Sequence, residues 1–199
     1  ILSDGPKGAG YHQLIQPGMQ DELLLHWMDD LGPSCLALVE GNHDAWDQRE
    51  SDKSLVEAMA TRADVAYLWY GGVIWIEVGN QRYKWVARHK YKYESSLNTT
   101  NAQRNLNIQA GGADVVSLAH KHYVDLHARQ SGGRKTLFIR CGTYKVWDDY
   151  GQAIGGYKGE IGVPVVIFWP DQHKVLGFDN FEDGLAHLRM LRGEEVRIA

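Results

Sequence analysis

Apolar residues recur at helical spacing along residues 19–31. Leu23, Leu24, Trp27, Met28 and Leu31 share one face there, before Gly32-Pro33 ends the run. Residues 35–39 form a short continuous apolar stretch, predicted as a fully buried strand. Ser51 is placed to cap a helix reaching Arg62. Three runs rich in aromatic and β-branched residues follow at 65–70, 73–78 and 82–88. The dipeptides Gly71-Gly72 and Gly79-Asn80 separate them, which predicts a β-meander with its tryptophans, Trp69, Trp75 and Trp85, in the core. A helix is predicted over 97–109, closed by Gly111-Gly112, and then a buried strand over 114–118. Two hairpins complete the pattern, 123–129 with 135–140 and 163–169 with 174–178, and a helix over 181–191 closes it. The Gly- and Pro-rich opening reads as a loop.

Strands with helices interspersed imply an α/β chain with two packed sheets flanked by helices. No internal repeat or linker divides residues 1–199, so a single domain is expected. Hydrophobic residues make up 44% and charged residues 23%, enough apolar material for a proper core. A net charge of −4 argues against a broad electrostatic grip on nucleic acid, while leaving room for a local basic rim. No apolar stretch has the length of a membrane span, and the start lacks a signal-peptide pattern. The two cysteines, Cys35 and Cys141, sit in apolar runs and read as buried free thiols. Together these features point to a cytoplasmic setting without a membrane partner.

Candidate chemistry gathers where strands end. The tetrapeptide Gly41-Asn42-His43-Asp44 follows the first apolar strand and delivers an amide oxygen, an imidazole and a carboxylate to one spot. His89 ends the third meander strand, and His120-Lys121-His122 follows the 114–118 strand. Residues two apart in an extended segment share a face, so both imidazoles can converge. An amide oxygen with several imidazoles and no thiolate suits Mn, Fe, Zn or Ni rather than a structural zinc cage. Arg88, Lys90, Lys92, Lys121, Arg140 and Lys145, interleaved with Tyr91, Tyr93, Tyr144 and Trp46, offer a basic and aromatic rim for phosphates and a stacked base. His26 and His187 fall within amphipathic helices and read as packing or surface residues. His127 and His173 read as strand or turn positions, and His12 lies in the opening loop.

These residues resemble the calcineurin-like metallophosphoesterases, whose later motifs are Gly-Asn-His-Asp, a lone His and Gly-His-x-His. Here they correspond to Gly41 to Asp44, His89, and Ala119-His120-Lys121-His122, with Ala119 in place of the usual Gly. The family's earlier Asp-x-His and Gly-Asp-x-x-Asp motifs are absent, Asp4 being only a weak candidate for the trailing acid, and an amino-terminal truncation is expected. The resemblance implies a four-layer α/β/β/α sandwich, here lacking its first strands, and a pair of divalent metal ions. It assigns Asn42, His89 and His120 to one metal and His122 to the other. His43 becomes the catalytic residue, oriented by Asp44, with Arg88, Lys121 and Arg140 on the substrate phosphate. The expected activity is metal-dependent phosphohydrolysis, of phosphodiesters more than of phosphoproteins, with nucleotides or nucleic acid as candidate substrates. The alternative expectation is a catalytically silent scaffold that kept the fold and lost the metals.

Overall fold

A computed structural model describes residues 15–95, 97–144 and 161–194. Expectations for Asp4, His12 and Lys145 lie outside these residues, as does any for the side chain of Trp46. The chain divides into two compact units, Ile1–Gly72 and Val73–Ala199. Among the described residues, no helix is long and apolar enough to cross a membrane.

The first unit contains α1 (Pro17–Leu31), β1 (Ala37–Leu38), α2 (Asn42–Ser51), α3 (Leu55–Ala63) and β2 (Ala66–Tyr67). Proline at the start of α1 sits where its missing N–H breaks no helical bond. α1 packs on α3, and Arg62 donates twice to the Asp29 carboxylate across them, at 2.6 and 2.7 Å. β1 pairs in parallel with β2, Ala37 opposite Ala66 and Leu38 opposite Tyr67.

Three sequence expectations are corrected here. The 35–39 run gives a strand of only two residues, half-buried, with Leu36 58% exposed, and among the described residues β1 has a single pairing neighbour. Ser51 ends α2 instead of opening a helix. Asp52 then turns into the left-handed region at φ 55°, and Ser54 caps α3 by accepting from the Glu57 N–H at 3.1 Å. The 65–70 run pairs with β1 and stands outside the expected meander. The chain reverses after it, with Gly71 N–H donating to Leu68 O at 2.8 Å and Trp69 at φ 50°, so Gly71 and Gly72 begin a strand.

The second unit is built on five strands: β3 (Gly71–Val78), β4 (Gln81–Arg88), β5 (Val115–Leu118), β6 (Asp125–Ser131) and β7 (Arg134–Arg140), in the order β3-β4-β5-β7-β6. β4, β5 and β7 run parallel, and β6 returns antiparallel to β7. α4 (Asn101–Gln109) covers one face, burying Val86, Leu106, Val116, Leu118 and Phe138. The other face packs through Tyr83, Val115, Leu137 and Ile139 on the hairpin β8 (Val165–Phe168) and β9 (Val175–Phe178). α5 (Phe181–Leu191) lies against the far side of that hairpin. Two glycines set these spacings. A Cβ at Gly177 would come within 2.7 Å of Leu126, and one at Gly184 within 2.6 Å of Val165. The unit is thus a mixed α/β stack of helix, sheet, hairpin and helix. Of the meander tryptophans, only Trp85 is partly covered, with its indole N–H donating to Ser117 Oγ at 2.8 Å. Trp75 is 51% exposed because its side of the edge strand β3 faces outward, where the Arg82 guanidinium lies 4.4 Å from its ring centroid.

Asp114, just before β5, ties this sheet together. Its Oδ2 accepts from Lys84 N–H at 2.8 Å, and its Oδ1 lies 3.1 Å from Arg134 Nε and 2.9 Å from His173 Nε2. Burial pushes this carboxyl upward, yet the Lys84 N–H, Arg134 and His173 outweigh it and hold the group below the usual carboxylate range. Asp114→Ala is expected to lower unfolding free energy by about 2–3 kcal/mol, since it removes bonds to a charged acceptor and strands a buried N–H. The carboxylate's contribution is complete above its unfolded pKa of about 3.9 and is lost as pH falls through the lower native value. Urea midpoints of wild type and variant, measured from about pH 7 to about pH 3, should therefore keep a constant separation down to about pH 4 and draw together only below it. A difference independent of pH would contradict this account.

Candidate functional site

The site is built from the carboxyl ends of β4, β5 and β7. Their register places Arg88, Leu118 and Arg140 in one row, so the segments after all three strands leave from the same edge. His89 follows β4 directly, and His120 follows β5 after one intervening residue. His89 Nε2 lies 3.1 Å from His120 Nδ1, with the rings nearly perpendicular at 76°.

The turn that carries His120 is strained. His120 takes φ 73° and His122 φ 59°, both in the left-handed region. Such positions cost about 1–3 kcal/mol each and persist only where surrounding contacts over-determine them. Here the Ala119 N–H donates to Arg88 O and His89 O at 3.3 and 3.1 Å, and the Ala119 carbonyl accepts from Lys121 N–H at 2.9 Å. The same carbonyl accepts from Arg140 Nη1 at 2.9 Å. His122 occupies this strained turn rather than an extended segment, so the simple alternation expected for a strand does not set its direction.

The basic residues expected on substrate fall into different positions. Arg140 is only 1% exposed, and its Nη1 also donates to Glu94 Oε1 at 3.0 Å, which gives it a supporting place beneath the turn. Lys121 is half exposed with its Nζ 3.5 Å from Glu94 Oε2. Arg88 is partly buried, its Cζ lies 5.9 Å from the Tyr91 ring, and its Nε is buried with no hydrogen-bond partner among the described residues. Lys90 and Lys92 are exposed. Glu94 was not foreseen: it sits in a polar stretch with no periodicity, and only the fold brings it to Arg140.

Asn42, His43 and Asp44 belong to the first unit, where they form the opening turn of α2. Gly41 is the N-cap and has no side chain to contribute. The Asp44 Oδ2 reaches back to accept from Gly41 N–H at 2.8 Å, half of a capping box. Asp44 therefore fixes the turn's backbone, a role that sequence reasoning had not given it. The preceding Glu40 is fully buried, accepting from the Tyr67 hydroxyl while its N–H donates to Trp69 O at 2.6 Å. Burial and then Glu40 push the Tyr67 hydroxyl up to about 12, so it remains a donor and anchors the chain just before Asn42.

The histidine pair fits a metal ion. Two nitrogens 3.1 Å apart, each at the usual ~2.0–2.1 Å from a shared zinc-like ion, subtend roughly 95–100° there, as neighbouring ligands do. Burial, then the neighbouring His89 and Lys90, bring His120 down to about 4, so its imidazole is neutral near pH 7, the form that ligates. Among the described residues, no three His, Cys, Asp or Glu side chains gather into one metal-binding group. The other histidines have local partners: His127 with Asp125 at 2.9 Å, His173 with Asp114, His26 with Asp29 at 3.7 Å, and His187 against the Phe178 ring at 5.2 Å. Both cysteines are free and partly buried, and burial pushes the Cys141 thiol up, away from the thiolate that would ligate a metal.

No protein-family model matches this chain, and no curated protein matches it. Solved structures of Vps29 from Entamoeba histolytica do match in part. A single mutant is 15% identical with a TM-score of 0.36, over 62% of this chain and 67% of its own. The wild type complexed with Zn2+ is 13% identical with a TM-score of 0.37, over 77% of this chain and 88% of its own. A double mutant gives 14% and 0.37 over the same shares. Scores this low mark a likeness of parts, and nothing about activity follows from them.

The environment of His120 has a direct spectroscopic consequence. In metal-free protein its ring resonances should stay in the neutral position from about pH 8 down to about pH 5 and move only near the low value given above. An NMR titration tests this, and a His120 midpoint near the ordinary histidine value would overturn the described burial.

Proposed function

We propose that this chain is a metal-dependent phosphohydrolase of the calcineurin-like metallophosphoesterase kind, acting on phosphodiesters such as nucleotides or nucleic acid ends. The observation that carries the reading is the His89–His120 pair, with nitrogens 3.1 Å apart at the carboxyl edge of parallel strands. That edge is where open α/β sheets bind ligands. In this reading Asn42, His89 and His120 hold one divalent ion, and His122 belongs to a second; Mn, Fe, Zn and Ni all suit such donors. Bound ions neutralise the phosphate and acidify a water, the two difficulties of attacking an anionic ester.

The chain's own groups do the rest. The neutral Asn42 oxygen suits an ion whose charge must remain available. His43, one residue on in the same helical turn, gives the leaving oxygen its proton or steadies the phosphoryl oxygens. Asp44 keeps that turn in place through Gly41, and the positive end of α2 favours an anion beside it. Lys121 and Arg88 are cations at the edge for the phosphate oxygens, with Arg88 Nε unpartnered among the described residues. Arg140 leaves the substrate set because its guanidinium is buried.

His43→Ala is expected to cut turnover of bis-nitrophenyl phosphate by about 10²–10⁴, the range for general acid–base groups, with metal content unchanged. Asn42→Ala and His120→Ala should instead each lower retained metal about 10-fold or more. Elemental analysis beside the diesterase rate separates the roles. Metal lost with His43 would make it a ligand, and a wild type that neither retains metal nor turns over the diester would favour the scaffold alternative.

A further inference from the structure

The buried Glu94–Arg140 pair lies against the very turn that carries His120. Arg140, the last residue of β7, is 1% exposed, and its described polar contacts are Glu94 Oε1 at 3.0 Å and the Ala119 carbonyl at 2.9 Å. Its guanidinium carbon lies 5.6 Å from the Tyr123 ring, on the far side of the same turn. Glu94 carries the second link: its other oxygen, Oε2, faces Lys121 Nζ at 3.5 Å, between the two left-handed histidines. One carboxylate and one guanidinium thus grip Ala119, Lys121 and Tyr123 from beneath. The hydrophobic clusters of the sheet do not include either residue. A buried ion pair is weak support for stability in itself, and its best-attested use is to enforce one arrangement over others.

We propose that Glu94 and Arg140 are positioning residues, a clamp that holds the strained turn so that His120 Nδ1 meets His89 Nε2 as a preformed ligand pair. This rests on the metal reading given above for what the pair is for, while the clamp itself is a statement about the turn. Without the clamp the left-handed residues would relax, and the imidazoles would have to be gathered again by the ion. Arg140 Nη1 alone reaches both acceptors, at the end of a side chain longer than lysine's, so a lysine ammonium at that position reproduces the contacts only in part.

The test uses the full chain and Glu94→Gln, which keeps shape and removes charge, beside Arg140→Lys and Arg140→Met. Two quantities are read: Co2+ affinity by competition with a chromophoric chelator, and hydrogen-exchange protection of the Lys121 amide in metal-free protein. Glu94→Gln is expected to weaken Co2+ binding by about 10–100-fold, the range for groups that orient ligands. It should also speed Lys121 exchange about 10-fold or more, while Val116 and Ser117 in β5 keep their protection. Arg140→Lys should fall between wild type and Arg140→Met in both. Unchanged Lys121 protection in Glu94→Gln overturns the clamp, and lost protection with unchanged Co2+ affinity overturns its positioning role. If the wild type binds no Co2+, the metal reading fails by itself, and Lys121 exchange still decides whether the clamp exists.

Discussion

In the second unit, β4, β5 and β7 run side by side in the same direction, with Trp85, Val115 and Leu137 in one row and Arg88, Leu118 and Arg140 in another. Parallel strands cannot be joined by tight turns, so between them the chain must return the length of the sheet, either across a face or, as β6 does before β7, as an antiparallel strand. The β4–β5 connection does so through α4, which buries Leu106 against Val116 and Phe138. The consequence for chemistry is geometric. Every segment leaving the carboxyl edge starts within one or two strand spacings of the others, so His89 and His120 meet although 31 positions separate them.

Charged residues mark both ends of the same ladder, and they work differently. At the amino end, Asp114 is buried, but its partners Arg134 and His173 are each about half exposed, so water shares the solvation of the cations. A backbone N–H from β4 completes the set, making Asp114 a stitch between strands. At the carboxyl end Arg140 is buried and Glu94 largely so, and the loss of Glu94 leaves the buried guanidinium without its counter-charge. Stability alone does not call for that arrangement. A turn that has to hold two side chains in unfavourable backbone conformations does.

How much of this was legible in the sequence depends on which interactions are local. The terminal helix 181–191 was readable from its amphipathic pattern, and the structure adds its Asn180 cap, which accepts from Asp183 N–H at 2.8 Å. The hairpin around Gly132-Gly133 was equally plain, because both glycines take the positive φ their turn needs. The 65–70 run misled for a physical reason: its residues favour a strand, but periodicity is silent on the partner, and Leu38 rather than the next strand supplies it. The candidate histidines were visible from motif and strand ends. Glu94 and Glu40 were not, since a polar residue in a loop and a lone acid after an apolar run carry no local sign of becoming buried.

The departure of Ala119 from the usual glycine can now be argued from backbone geometry. A glycine is required only where φ is positive or a Cβ has no room. The left-handed positions in this turn are His120 and His122, and Ala119 is not among them. Histidine is also among the side chains enriched in that region. The unusual conformations therefore fall on the two histidines, while the alanine has no positive φ and offers its carbonyl to Arg140 and its N–H to the end of β4. The turn is thus tied to β4 and to Arg140 through the backbone of the one residue whose side chain has no chemistry of its own.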